Sequence, residues 1–171
     1  MRVASTFSIL ALTTALLTFP AADIAIAKAP VAASAGISVA FDPSLSRPDS
    51  PIGQQEMGEV SLKIREAVMS RLAKEQISYT SLNVWVVNLK PNRPTMTQMR
   101  LNPSLSYGSY GLGGAHFQAQ MTLTDGRVLR VESQYFGHDI YMAKTATTWT
   151  DAEKATDWLA EELVKAAKSA A

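Results

Sequence analysis

The sequence predicts an α+β domain: a small antiparallel or mixed sheet of about four strands with two helices packed on one face, in the order β-α-β-loop-β-β-α. Three observations lead there. Two segments, one opening near Ser50 and one near Thr150, repeat apolar residues every three or four positions, as amphipathic helices do. Leu82 to Leu89 (LNVWVVNL) is valine-rich and apolar on both faces, which suits a strand near the sheet centre, covered on two sides. Ala115 to Leu123 and Leu129 to Tyr135 alternate around Thr124-Asp125-Gly126, the pattern of a β-hairpin.

Taken in order, Ile37, Val39 and Phe41 alternate with Ser38 and Ala40 as a short strand that Asp42-Pro43 ends, and Ser44 to Asp49 is a polar loop. Ser50-Pro51 reads as an N-cap with proline at the first helical position. Met57, Val60, Ile64, Val68 and Leu72 then form the apolar stripe of a helix running to about Gln76, its first turns weakened by Gly53 and Gly58. Trp85 alternates with valines in the next strand and is expected in the core. From Lys90 to Tyr110, Pro91 and Pro94 exclude a central strand and leave a long loop with a short edge strand at most.

Register decides the hairpin turn. A two-residue Asp-Gly loop would put Arg130 and Glu132 on the face of Met121 and Ala119. A three-residue loop with Gly126 left-handed instead joins Phe117, Ala119, Met121 and Leu123 to Leu129, Val131 and Tyr135 on a buried face. His116, Gln118, Gln120 and Thr122 then share the polar face with Arg130, Glu132 and Gln134. In the last helix, Thr150 and Glu153 have capping-box spacing, Asp151 suits the positive first turn and Trp149 takes the staple position. Ala152, Ala155, Leu159, Leu163 and Ala166 form its buried stripe, with Trp158 on the margin.

Composition narrows the function. The chain has 171 residues, enough for one domain of ordinary size, with 16 Lys and Arg against 15 Asp and Glu. A net charge of +1 argues against a dedicated nucleic-acid binder. The absence of cysteine excludes disulfides, thiolate metal sites, a cysteine nucleophile and a cysteine-linked lipid anchor. Arg2, the apolar stretch Val3 to Phe19, Pro20 and Ala25-Ile26-Ala27 have the layout of a secretory signal peptide. Cleavage is expected after Ala27, with Ala22 and Ala29 as alternative sites. The stretch is interrupted by Ser and Thr and stops at proline, unlike a spanning anchor, and no later segment is apolar enough to span. The expected organisation is residues 1–27 signal peptide, 28–36 flexible lead-in and 37–168 a single α+β domain, soluble and periplasmic or secreted.

The candidate sites are sparse. Glycines 108, 111, 113 and 114 in YGSYGLGGAH could bring backbone N–H groups to a small anion. The run nevertheless precedes a strand and lacks Lys or Arg, unlike phosphate loops, and Gly108-Ser109-Tyr110-Gly111 is one residue short of a hydrolase elbow. A structural reading makes it the entry to an edge strand, with Tyr107 and Tyr110 packed over the sheet. His116 and His138-Asp139 are the only histidine material; they offer a base for a small hydrolase but no spacing for a metal. Glu56 and Glu59 read as an acid pair on a solvated face. Arg93 and Arg100 in the long loop could grip an acidic partner. The expected binding surface combines Arg93, Arg100, Tyr107, Tyr110, Gly113, Gly114, His116, Gln118 and Arg130, with no catalytic residue, metal or cofactor assigned.

The strings RPTMTQ, GLGGAHFQAQMTLTDGRVL and TWTDAEKATDWLAEEL give Ile37 to Lys165 a layout that resembles small uncharacterised bacterial envelope α+β domains, several of them lipoproteins. The chain departs from the lipoprotein members in having no cysteine after its signal peptide, and no functional residue is carried over. The expected function is a non-enzymatic binding or accessory protein of the cell envelope, its partner another envelope protein. The alternatives are a small-anion carrier acting through the glycine-rich loop and a hydrolase using His116 or His138.

Overall fold

In the computed structural model, residues 36–47, 50 and 52–170 are described, so the expected signal peptide, nearly all of the lead-in and Pro51 lie outside the described residues. The element order is β1 (Gly36–Phe41), a 3-10 turn (Pro43–Ser46), α1 (Gln54–Lys74), β2 (Tyr79–Lys90), α2 (Met96–Leu101), β3 (Gly114–Leu123), β4 (Val128–Phe136), α3 (Ile140–Ala143) and α4 (Thr150–Ser169). The four strands make one mixed sheet in the order β1-β2-β3-β4. β1 runs parallel to β2, with α1 as the crossover, while β2–β3 and β3–β4 are antiparallel. The fold is a small α+β domain, as the sequence predicts.

Both long helices lie on one face of the sheet. The stripe Met57, Val60, Ile64, Val68 and Leu72 of α1 is buried throughout. α4 buries Ala152, Ala155, Leu159, Leu163 and Ala167 in the same core; Ala167 takes the place expected of Ala166, because the 3.6-residue repeat drifts over five turns. Leu82, Val84, Val86 and Leu89 of β2, with Ala115, Phe117, Ala119, Met121 and Leu123 of β3, supply the sheet's half of that core. Each fully buried Leu, Ile, Val or Phe removes enough apolar surface from water to favour folding by about 1.5–3 kcal/mol.

The hairpin has the three-residue loop. Leu123 N–H donates to Arg127 O at 2.8 Å, Gly126 N–H donates to Leu123 O at 3.0 Å, and Gly126 sits at φ 89°, a conformation that favours glycine. The register follows: Met121 opposes Leu129, Ala119 opposes Val131, and Gln118 opposes Glu132.

Several expectations are corrected. Among the described residues, β2 is covered on one side only. Its pairing with β3 shifts between Val86 and Asn88, so one extra residue, Val87, reverses the alternation and lets both Val86 and Leu89 face the core. Trp85, between core-facing Val84 and Val86, points away from the core by simple alternation and is 43% exposed. The long loop holds a helix of its own, α2, closed by a reciprocal capping box between Thr95 and Gln98. The strand after the glycine-rich run is interior rather than an edge.

The helix caps also differ. α1 begins at Gln54 with Gly53 as N-cap, while the Ser50 hydroxyl accepts the Ile52 N–H. Thr150 is the first residue of α4, not its cap, and its hydroxyl is held by the Thr147 N–H. Trp149 takes the N-cap position and is buried. No helix among the described residues is long and apolar enough to cross a membrane.

Candidate functional site

Because α1 and α4 cover only one face, the opposite face of the sheet is open among the described residues. Trp85 stands on inner strand β2 directly opposite Gln118. Gln118 in turn faces Glu132, and Gln120 lies between Asn83 and Arg130. These side chains border a hollow of about 460 Å³ lined by Trp85, Gln118, Gln120, Arg130, Val131 and Glu132, among others. At its margin His116 Nε2 lies 2.7 Å from Glu132 Oε1, a diagonal pair across β3 and β4. Ser38 Oγ donates to Asn83 Oδ1 at 2.5 Å, tying the β1 side of the face. Gln118, Gln120 and Arg130 make no side-chain hydrogen bond within the described residues and remain available to a ligand.

His116, Gln118 and Arg130 are thus brought together as the hairpin register requires. Trp85, Gln120 and Glu132 complete the set. Sequence reasoning kept Trp85 out of the site because the apolar run around it was read as a strand covered on both faces.

The other candidates lie at the pole of the molecule formed by the loops. Arg93 is drawn inward: its Nε donates to Ala146 O at 2.6 Å, Nη1 to Tyr107 O at 2.7 Å and Nη2 to Lys144 O at 2.6 Å. The fork expected to grip an acidic partner holds three backbone carbonyls of its own chain. Arg100 is exposed in the last turn of α2, Tyr107 rests its hydroxyl on Met96 Sδ, and Tyr110 is exposed. Neither tyrosine packs over the sheet.

Gly113 lies in a buried polar knot rather than at an anion site, and Gly114 opens β3 at φ 145°, packed against Tyr135 and Phe136. Asn92, 1% exposed, accepts the Asp151 N–H at 2.9 Å through Oδ1 and donates through Nδ2 to Asp151 Oδ2 at 2.5 Å. Asn92 thereby caps α4 from a distant loop, the role Thr150 was expected to fill. Gly113 N–H donates to the same Asp151 oxygen at 3.2 Å, and Gly111 N–H to Asn92 O at 2.8 Å. Gly108 N–H goes to Ser106 Oγ at 3.2 Å. The amides expected to cradle an external anion meet an internal carboxylate and two internal oxygens. A Cβ at Gly113 would stand 2.5 Å from Asn92 Oδ1, so the close approach requires glycine.

His138 lines a separate cleft with Thr150, Asp151 and Lys154 that does not include His116. Asp139 accepts the Tyr141 N–H at 2.8 Å and caps α3 instead of orienting an imidazole. No group of three or more His, Asp or Glu that could hold a metal occurs among the described residues.

Glu56, expected on a solvated face, is instead buried under α2. It accepts the Thr97 N–H at 3.1 Å through Oε1 and the Thr97 hydroxyl at 3.2 Å through Oε2. Desolvation pushes its carboxyl up, but hydrogen bonds from its own N–H, the Thr97 N–H and hydroxyl and the Gly53 N–H outweigh that and hold it below the ordinary carboxylate value. Compared with known proteins, the chain matches no family model and no curated sequence.

Proposed function

We propose that the chain is an exported, non-enzymatic binding or accessory protein of the cell envelope, acting in the periplasm or outside the cell through the open face of its sheet. The observation that carries this reading is the uncovered face itself, with exposed Trp85 centred among Gln118, Gln120, Arg130 and Glu132. An aromatic side chain with hydrogen-bonding neighbours is the composition of a recognition surface. Export is supported by the residue pattern from Arg2 to Ala27.

The test is to purify the chain gently from its own envelope fraction and record its native mass and N-terminus, as wild type and as Trp85→Ala/Arg130→Ala. An N-terminus near Lys28 and an added mass that the double variant loses are expected. Retention of Met1 in the cytosolic fraction overturns export. A bare chain in both forms overturns the binding reading.

A hydrolase reading stands second on one observation, the carboxylate of Glu132 at 2.7 Å from His116 Nε2. Loss of a hydrolytic activity in His116→Ala, with the fold retained by circular dichroism, would place it first.

A further inference from the structure

We infer that the open face takes a neutral glycan, seating the flat side of a pyranose with equatorial substituents on the Trp85 indole while Gln118, Gln120 and Arg130 hold its hydroxyls. The inference rests on the binding reading above and names the ligand class for the same face.

Trp85 is the anchor. An indole 43% exposed on an inner strand leaves apolar surface in water amid polar neighbours. A pyranose whose substituents are all equatorial turns its axial C–H bonds to one side. It thus offers a flat apolar plate of matching size, with hydroxyls radiating from its rim. The rim of the protein surface fits those hydroxyls. Gln118 stands directly across from Trp85, and Gln120 is two residues along the same strand. Each amide offers donors and an acceptor, and each hydroxyl does the same, so the two match in either orientation.

Charge selects a neutral ligand. The hollow carries one Arg and one Glu. Arg130 alone would welcome a carboxylate or phosphate, but Glu132, on the same face, repels it. A cationic chain meets the reverse conflict. The volume of about 460 Å³ lies within the range of small-ligand sites.

The full-length chain, in the form its host accumulates, is to be labelled with 15N and titrated with cellohexaose, chitohexaose and, as anionic comparison, polygalacturonate. The Trp85 indole and the Gln118 and Gln120 side-chain amides are the reporters. Saturable shifts at those groups with a neutral oligosaccharide are expected, with Trp85→Ala weakening affinity about tenfold and Trp85→Phe retaining part of it. Tyr107→Ala, off this face, leaves affinity unchanged. Cellohexaose alone would point to a glucose polymer, chitohexaose alone to an amino-sugar backbone. If Trp85→Ala alters the backbone spectrum throughout, Gln118→Ala/Gln120→Ala replaces it, with the same loss expected. No shift with either neutral oligosaccharide, or tighter binding of polygalacturonate, overturns the glycan inference and leaves the binding reading to the envelope purification. Saturable shifts confined to residues away from Trp85 overturn both.

Discussion

Asn92 and Asp151, 59 positions apart, hold each other through two hydrogen bonds in opposite directions: the Asp151 N–H to Asn92 Oδ1, and Asn92 Nδ2 to the Asp151 carboxylate. One asparagine therefore caps a helix and satisfies a buried charge at once. Asn92→Ala removes both, and a loss of about 2–4 kcal/mol is expected, read as a lower urea midpoint at unchanged slope. Asn92→Asp keeps the size but sets a second carboxylate against Asp151. It too should lower the urea midpoint, through like-charge repulsion.

The same knot separates two neighbouring glycines. Gly113→Ala brings a methyl group against Asn92 Oδ1, with an expected cost of about 1–3 kcal/mol. Gly111 has no atom within 4 Å of an added Cβ, so Gly111→Ala should be neutral, or stabilising by up to about 1 kcal/mol through the unfolded chain. Equal midpoints for the two variants would contradict the described packing.

Trp85 and Trp149 should part in the opposite sense. Trp149 is 6% exposed and belongs to the core, so Trp149→Ala is expected to cost about 3–5 kcal/mol. Trp85→Ala should stay within about 1 kcal/mol, because it removes a side chain from a strand face open to water. Thermal unfolding of the two variants side by side checks this.

Acid should loosen the seat of α2. The carboxyl of Glu56 is held below its ordinary value in the fold, so its contribution is intact above the ordinary carboxylate range. That contribution is lost as pH falls below the range through the depressed native value. Glu56→Gln should therefore show a flatter stability profile on the acid side than the wild type. Parallel profiles would mean that the Thr97 contacts carry no net charge preference, either form of residue 56 holding Thr97 equally well.

The sequence made local pattern legible and long-range polar contact illegible. The stripe from Met57 to Leu72 and the alternation around Gly126 are set by neighbours a few residues apart, and both elements stand as expected. Thr95 and Gln98 carried a capping box in plain view, hidden by the weight given to the prolines around it. The inward position of Leu89 depends on one extra residue at Val87, which alternation alone does not reveal, whereas Trp85 points outward simply because it lies between core-facing Val84 and Val86. His116, Gln118 and Arg130 came together because hairpin register is local. Arg93 was misjudged, and the pairing of Asn92 with Asp151 went unseen, because the partners lie 14 to 59 positions away.

The three carbonyls on Arg93 join segments that have no sheet pairing to hold them: the Tyr107 loop, Lys144 after α3 and Ala146 before α4. Releasing one guanidinium frees all of them together. This end of the molecule should therefore open as a single cooperative unit, with amide hydrogens around Tyr107 and Ala146 exchanging at one common rate, faster than those of β2 and β3.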